Sequence, residues 1–580
     1  MISAFLKLLS HIFRHLFKNE TNMISTVDFA VIIAYFLFIF VFAYWITVRD
    51  RRRKERGSAD YFLASRDVGW LVIGASLFAS NIGAEHIIGL AGSGARGDMP
   101  AAQFEILASF FLILLGWLFV PFYLKSGVFT MPEFLEKRYS GAARSYLSIV
   151  SILAYVLTKI SLTIFAGALV FEVLGVPFWT GALLVILATG LYTIFGGLKA
   201  VLYTDMVQLF ILLGGMILVT FYGFNAIGGW SGMSDAVAAA ANGNDDIISS
   251  NFFNLWRPSD DTAYPWTGMM FGAPILGVWY WCTDQFIVQR VLSAKDISNA
   301  RRGTILAGYL KQLPLFIFLV PGILAFALAT QGMLNLDIQN PDKALPIMIN
   351  DLLPIGVKGL VLAGLLAALM SSLSSAFNSC STLVTIDFYK KYRPSSTEKE
   401  LVWFGQIATV ILVVISLAYI PLMKTLTEAG GIIQYLQSVQ AYISPPIAAA
   451  FLLGLFIHRI NARGAIISLW SGFAIGILRL FFEFLVKEGR IASGDNAFID
   501  LLVGINFLHF ALYLFVLCAI IMIVGSLGSP APTAEKLQGV SWNKGEKGFF
   551  EPNKRDVWLT VGLVLLVLMI WAIFSPLGLA

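Results

Sequence analysis

The chain has 580 residues, 58% hydrophobic and only 13% charged, with a mean hydropathy of +0.79. That composition excludes a water-soluble globular domain and describes a multi-pass membrane protein. The net charge of +5 matters through its distribution, and the cysteines Cys282, Cys380 and Cys518, all in apolar runs, imply no disulfide framework.

Windows of about 20 apolar residues give about fourteen candidate spans, near 27–48, 69–94, 101–124, 145–175, 178–195, 205–227, 267–289, 304–330, 357–384, 402–424, 432–457, 465–486, 500–526 and 557–577. Residues 1–26 precede them as an extracytoplasmic leader. Its first part, "MISAFLKLLSHIFRHLFKNETN" (1–22), is too short and too charged to span and suits a surface amphipathic helix, while Met23 offers an alternative start. Residues 27–48 form a peripheral first helix.

The second span contains "FASNIGAEHIIGLAGSG" (78–94), with Ser80, Asn81, Gly83, Glu85 and His86 at membrane depth. Polar and ionisable groups are expensive there and mark candidate sites. Glu105 in the third span, Lys159 in the fourth and Asp205 at the start of the sixth are such groups, although Asp205 could equally cap its helix. Residues 228–266, rich in Gly, Asn and Asp, read as a solvated external loop.

The seventh span is interrupted within "FGAPILGVWYWCTDQ" (271–285) by Pro274, Gly277, Thr283 and Asp284. Lys311 sits well inside "GYLKQLPLFIFLV" of the eighth. The ninth carries "LLAALMSSLSSAFNSCST" (365–382), whose many hydroxyls include the adjacent pair Ser371 and Ser372. Arg479 in the twelfth span lies apart from these and reads as structural.

The two interrupted spans are five apart, so they cross the membrane in opposite directions. Gly/Pro-interrupted segments at matching places in two halves point to an inverted-repeat transporter. Residues 69–227 and 267–457 would be the repeats, with 465–580 as peripheral C-terminal helices. Broken helices free backbone carbonyls that lipid cannot satisfy. A small hard cation can, and hydroxyls such as those of Ser371 and Ser372 would complete a neutral cage suited to a monovalent ion.

Lys and Arg concentrate in alternate loops, among them "RDRRRKERG" (49–57), "QRVLSAKDISNARRG" (289–303) and "FYKKYRPSSTEK" (388–399). The basic loops are therefore cytoplasmic and both termini outside, in a cell membrane. The chain shows no Walker A motif, no zinc-ligand spacing and no activated nucleophile, so neither an ATPase nor another enzyme is expected. No nucleic-acid partner is expected either.

"YTIFGGLKAVLYTD" (192–205) and "GLFIHRINARGA" (454–465) resemble the two signatures of the solute:sodium symporter family. "LFASNIGAEHIIGLAG", "WYWCTDQFIVQRVLSAK", "GYLK" and "LQSVQAYISPPIAAAFLLG" resemble its sodium/glucose cotransporters more specifically. The resemblance implies an all-α LeuT-like fold with a five-plus-five inverted-repeat core and discontinuous helices. It also implies Na+-coupled uptake of a hexose or close relative by alternating access. Carried over position by position, the sugar contacts fall on Asn81, His86, Glu105, Tyr280, Trp281, Lys311 and Gln437, with Tyr280 as an inner gate. A first sodium site falls on the carbonyls of Ala79, Ile82 and Ala368 and the hydroxyls of Ser371 and Ser372. A second, present in some members, falls on Asp205, Ser374 and Ser375. One departure is Gly277, where sugar transporters of the family carry a hydroxyl or amide residue. Uptake of an inositol or modified sugar, or a sugar-sensing or sodium-conducting role without coupled uptake, are the alternatives. Which sugar, one ion or two, and the number of subunits stay open.

Overall fold

A computed structural model describes residues 25–51, 66–173, 175–243, 248–427, 431–491, 496–542 and 553–579. The expected leader, but for its last two positions, and most of the basic stretch 49–57 lie outside the described residues. The architecture is all-α: among the described residues β-structure is confined to two isolated bridges, Val68–Ala294 and Arg257–Pro265.

Eleven helices are long and apolar enough to cross a membrane among the described residues. The number is twelve when Trp70–Asn81 and Glu85–Arg96, bent by 58°, count as one broken span. Two of the expected fourteen fall outside this count for identifiable reasons. Residues 178–195 belong to one continuous helix, Phe178–Ile227, of which Val201–Ile227 is the counted part. At 1.5 Å per residue its 50 residues would reach about 75 Å, more than two hydrocarbon thicknesses, so its length alone would suffice for two crossings. Residues 267–289 divide into Trp266–Phe271, Ala273–Gly277, a π-helical turn Val278–Thr283 and Gln285–Leu292, none long enough alone.

Burial separates a core bundle from a lipid-facing ring. The Val357–Tyr392 span has 89% of its apolar window inside the protein, against 22% for Lys554–Ile573. A helix apolar on all sides and buried by protein belongs to the middle. The broken second span lies there, its first half against Ile297–Leu310 and its second against Val320–Thr330. Helix Val357–Thr382 packs on both halves and on Phe178–Ile227, and Gly431–Phe456 closes the other side, against the second half and the π turn 278–283.

The expected external loop 228–266 is more ordered than its composition suggests. It contains the helix Gly229–Gly243 and a 3-10 turn, Ser249–Phe252, whose Phe252 stacks on Phe326 at 4.6 Å. Arg257 holds it down by donating to the carbonyls of Gly97 and Asn251.

Candidate substrate and ion site

The second span breaks at two residues. Ile82 leaves the helical region (φ −80°, ψ 84°) and Gly83 is extended (φ −89°, ψ 178°). The Gly83 N–H, which an unbroken helix would direct at the Ala79 carbonyl, donates to Asn81 instead, and the His86 N–H goes to Gly83 rather than to Ile82. The carbonyls of Ala79 and Ile82 thereby lose their helical donors, and these are two of the three carbonyls expected around sodium. A Cβ on Gly83 would collide with the Glu85 carboxylate folded back over it, which would have to leave its contacts with Lys159 and Thr163.

On helix Val357–Thr382, which packs on both halves of the broken span, Ser371 and Ser372 behave differently. The Ser372 hydroxyl is buried and has no hydrogen-bond partner among the described residues. An orphaned buried hydroxyl calls for an explanation such as an absent ion. Ser371 Oγ instead donates to Asp205 Oδ1 at 2.5 Å, while Asp205 Oδ2 accepts from Ser76 Oγ at 2.6 Å. Asp205 thus lies inside the helix Phe178–Ile227 and not at a helix start, so its carboxylate is no cap. Of the other two residues expected in a second ion site, Ser374 donates to the Ser371 carbonyl at 3.0 Å and Ser375 accepts from Arg290.

Arg290 is a correction to the charge map. The sequence places it in a cytoplasmic loop, but it is buried in helix Gln285–Leu292, donating to Ser76, Ser375 and the Phe286 carbonyl. A buried guanidinium requires partners; here they are the Ser76 and Ser375 hydroxyls and the Phe286 carbonyl, with Ser76 linking it to the Asp205 carboxylate.

The expected solute contacts converge on one narrow cavity. Asn81, His86, Glu105, Tyr280, Trp281 and Gln437 all line it, together with Gln440. Tyr280 and Trp281 are brought there by the π turn Val278–Thr283, their rings edge to face at 5.1 Å. Single π turns widen a helix locally and recur at functional sites. Asn81 Nδ2 donates to the Tyr280 hydroxyl at 2.8 Å, and Lys159 Nζ stands 5.1 Å from the Tyr280 ring centre.

Lys311 is the exception. It is fully buried and does not line the cavity; its ammonium donates to Asn81 Oδ1 and Glu105 Oε2 and lies 5.1 Å from the Trp281 ring centre. It supports the residues that face the solute from behind. A second buried pair stands next to it: Lys159 Nζ is 3.3 Å from Glu85 Oε1, Thr163 donates to Glu85 Oε2 at 2.9 Å, and His86 Nδ1 lies 3.4 Å from Glu85. Outside the repeats, Arg479 covers the rings of Tyr442 and Phe510 and donates to the Ile505 carbonyl, a structural role.

Sequence reasoning missed Gln440 and the apolar part of the lining, Phe104, Leu107, Phe111, Ala273 and Leu276. Gln440 carries a usable signal, since it lies one helical turn from Gln437. The apolar residues carry none, because every span is full of them.

A model of the sodium:solute symporter family matches residues 61–472. The chain belongs to that family. Among relatives, it is 40% identical over 533 residues to sodium/glucose cotransporter 1 of Mus musculus, which covers 88% of this chain and 79% of that one. It is also 40% identical over 540 residues to sodium/mannose cotransporter SLC5A10 of Bos taurus, covering 90% of each. Its fold is similar to that of a Na+-coupled sialic acid symporter solved in a substrate-bound outward-open state. The TM-score is 0.71 at 22% identity, over 88% of this chain and 99% of the other. This symporter-family chain is accordingly an all-α multi-pass membrane protein with a broken-helix core.

Proposed function

We propose that the protein couples inward Na+ movement to uptake of a hexose or closely related sugar by alternating access. The observation that carries this reading is the meeting of two kinds of chemistry at one break. On one side stand carbonyls without helical donors and the orphaned Ser372 hydroxyl, suited to a monovalent cation. On the other is a cavity of amide, carboxylate, imidazole and aromatic groups, suited to hydroxyls and to the C–H face of a sugar ring. The sugars named for its 40% identical relatives support the same class.

In this reading Ala79, Ile82 and Ala368 offer carbonyls and Ser371 and Ser372 hydroxyls to the first Na+, which pins the two halves of the broken span to helix Val357–Thr382. Asn81, His86, Glu105, Gln437 and Gln440 hydrogen-bond the sugar, Lys311 holds Asn81 and Glu105 in place, and Tyr280 with Trp281 covers the ring. Residues 69–227 and 267–457 rock against each other as repeats, 228–266 lies outside, and both termini face away from the cytoplasm of a cell membrane. Asp205, Ser374 and Ser375 take a second Na+. The decisive experiment uses purified protein in liposomes with an imposed Na+ gradient and a panel of labelled sugars. Uptake of at least one hexose or hexose derivative, dependent on Na+, is the expected result. Uptake of none above the Na+-free control overturns the reading.

A further inference from the structure

The cavity is lined by two unlike sets of residues. One carries Asn81, His86, Glu105, Gln437 and Gln440, each with a donor or acceptor. The other comes from where the third and seventh spans pack together and is Leu107, Phe111, Ala273, Leu276 and Gly277, none with a side chain able to form a hydrogen bond, although the same two spans also bring Glu105, Tyr280 and Trp281 to the cavity. Leu107 and Phe111 are one turn apart on helix Gln103–Leu114 and so share a face. Phe111 is tied to the seventh span through its carbonyl, which accepts from Cys282 Sγ at 3.4 Å. Its ring occupies the space beside Gly277: a Cβ built there would fall inside the contact radius of three Phe111 ring carbons. The ring therefore leaves no room for a side chain at 277 unless it moves or is cut back.

A sugar ring presents hydroxyls around most of its edge. A hydroxyl pressed against these apolar residues gives up its water and meets no partner, which costs roughly ten- to a hundredfold in affinity. We infer that Phe111, lying in the place of a side chain at 277, tunes the site to sugars whose carbon facing these apolar residues bears hydrogen or a methyl group in place of a hydroxyl. Deoxyhexoses are the class that fits. The inference rests on the sugar-symport reading and specifies its substrate.

The test measures Na+-driven uptake of glucose and galactose against each of their 2-, 3-, 4- and 6-deoxy analogues, in liposomes containing the full chain. At least one deoxy analogue is expected to be taken up about tenfold or more better, in kcat/KM, than its parent. If the chain carries sugars but every deoxy analogue is weaker than its parent, the inference fails while the symport reading stands. If no sugar is carried, the symport reading fails first and takes the inference with it. A variant pair adds a second measurement. Gly277→Ser alone clashes with the ring and should depress uptake of every sugar. Phe111→Ala/Gly277→Ser makes the room and supplies a hydroxyl, and should move the preference about tenfold back toward the parent hexose. An active double variant with the unaltered wild-type ranking would overturn the inference, and the wild-type ranking decides the matter if the double variant does not fold.

Discussion

Ser371 and Ser372 are neighbours with identical side chains, yet one hydroxyl is bonded to Asp205 and the other has no partner among the described residues. Ser372→Ala removes a hydroxyl that contributes no hydrogen bond, so thermal stability should change by less than about 1 kcal/mol. The Na+ concentration for half-maximal sugar uptake should rise about tenfold or more; an unshifted Na+ dependence would place the ion elsewhere. Gln437→Ala should weaken sugar affinity about tenfold or more, because a buried sugar hydroxyl loses its partner, and leave the Na+ half-saturation in place. Lys311→Ala has a different signature. It strands the Glu105 carboxylate in the core, a loss of about 3–5 kcal/mol, so stability and sugar binding should fall together. Glu105→Gln/Lys311→Met should then recover thermal stability but not transport. If Lys311→Ala lowers sugar affinity in a fully stable protein, Lys311 reaches the sugar directly. At this scale the sequence is informative where a residue type is costly: Asn81, His86 and Glu105 stand out against an apolar background and do meet at the cavity. It is silent on Phe111, which looks like any other lipid-compatible side chain until packing shows which way it points.

Whole elements were legible wherever a hydropathy window could see them. The break in the second span was legible from Gly83 and its polar neighbours. The π turns were not: five occur among the described residues, including Tyr155–Ile160 with Lys159 and Val278–Thr283 with Tyr280, and an extra residue in a turn leaves the hydrophobic pattern almost unaltered. Between the eighth and ninth spans, Asp342 Oδ2 accepts from the Ile432 N–H at the start of helix Gly431–Phe456. Burial raises the Asp342 carboxyl to about 6, against the opposing pull of Arg96 and the Ile432 N–H. Because this value exceeds that of the unfolded chain, its contribution is full below about pH 4 and is lost as pH rises through 6. The stability of the wild type relative to Asp342→Asn should therefore drop by about 1 kcal/mol between pH 5 and pH 7.5. Thermal unfolding in detergent at the two pH values measures this, and a difference independent of pH would show that Asp342 does not titrate in that range.

For the molecule as a whole, the spacing of two interrupted spans was enough to suggest opposed halves. Counting charges by loop was less dependable, since Arg290 counts as cytoplasmic by sequence and lies buried beside Asp205. In the proposed reading, that neighbourhood decides how steeply the protein can concentrate solute. One charge falling through 100 mV contributes about 2.3 kcal/mol, and a tenfold Na+ gradient adds about 1.4. One ion could then sustain roughly 10²–10³-fold accumulation and two roughly 10⁵-fold. With Asp205, Ser374 and Ser375 as a second site, the voltage at which sugar flux reverses under known gradients should fit two charges per sugar. A value fitting one would remove the second ion. Asp205→Asn should lower the Na+ Hill coefficient toward one while sugar binding persists.

The Asn81 amide has a consequence for turnover. Its NH2 group is bonded to Tyr280 and its oxygen to Lys311 before any solute arrives. Each end of the amide keeps one further position, a second N–H and a second lone pair, so in the proposed reading an incoming hydroxyl binds there without displacing Tyr280 or Lys311. Asn81 then holds the solute in that reading by no more than these spare positions, with Tyr280 still anchored. A tight binder at this spot would be a trap; a carrier must be able to empty itself.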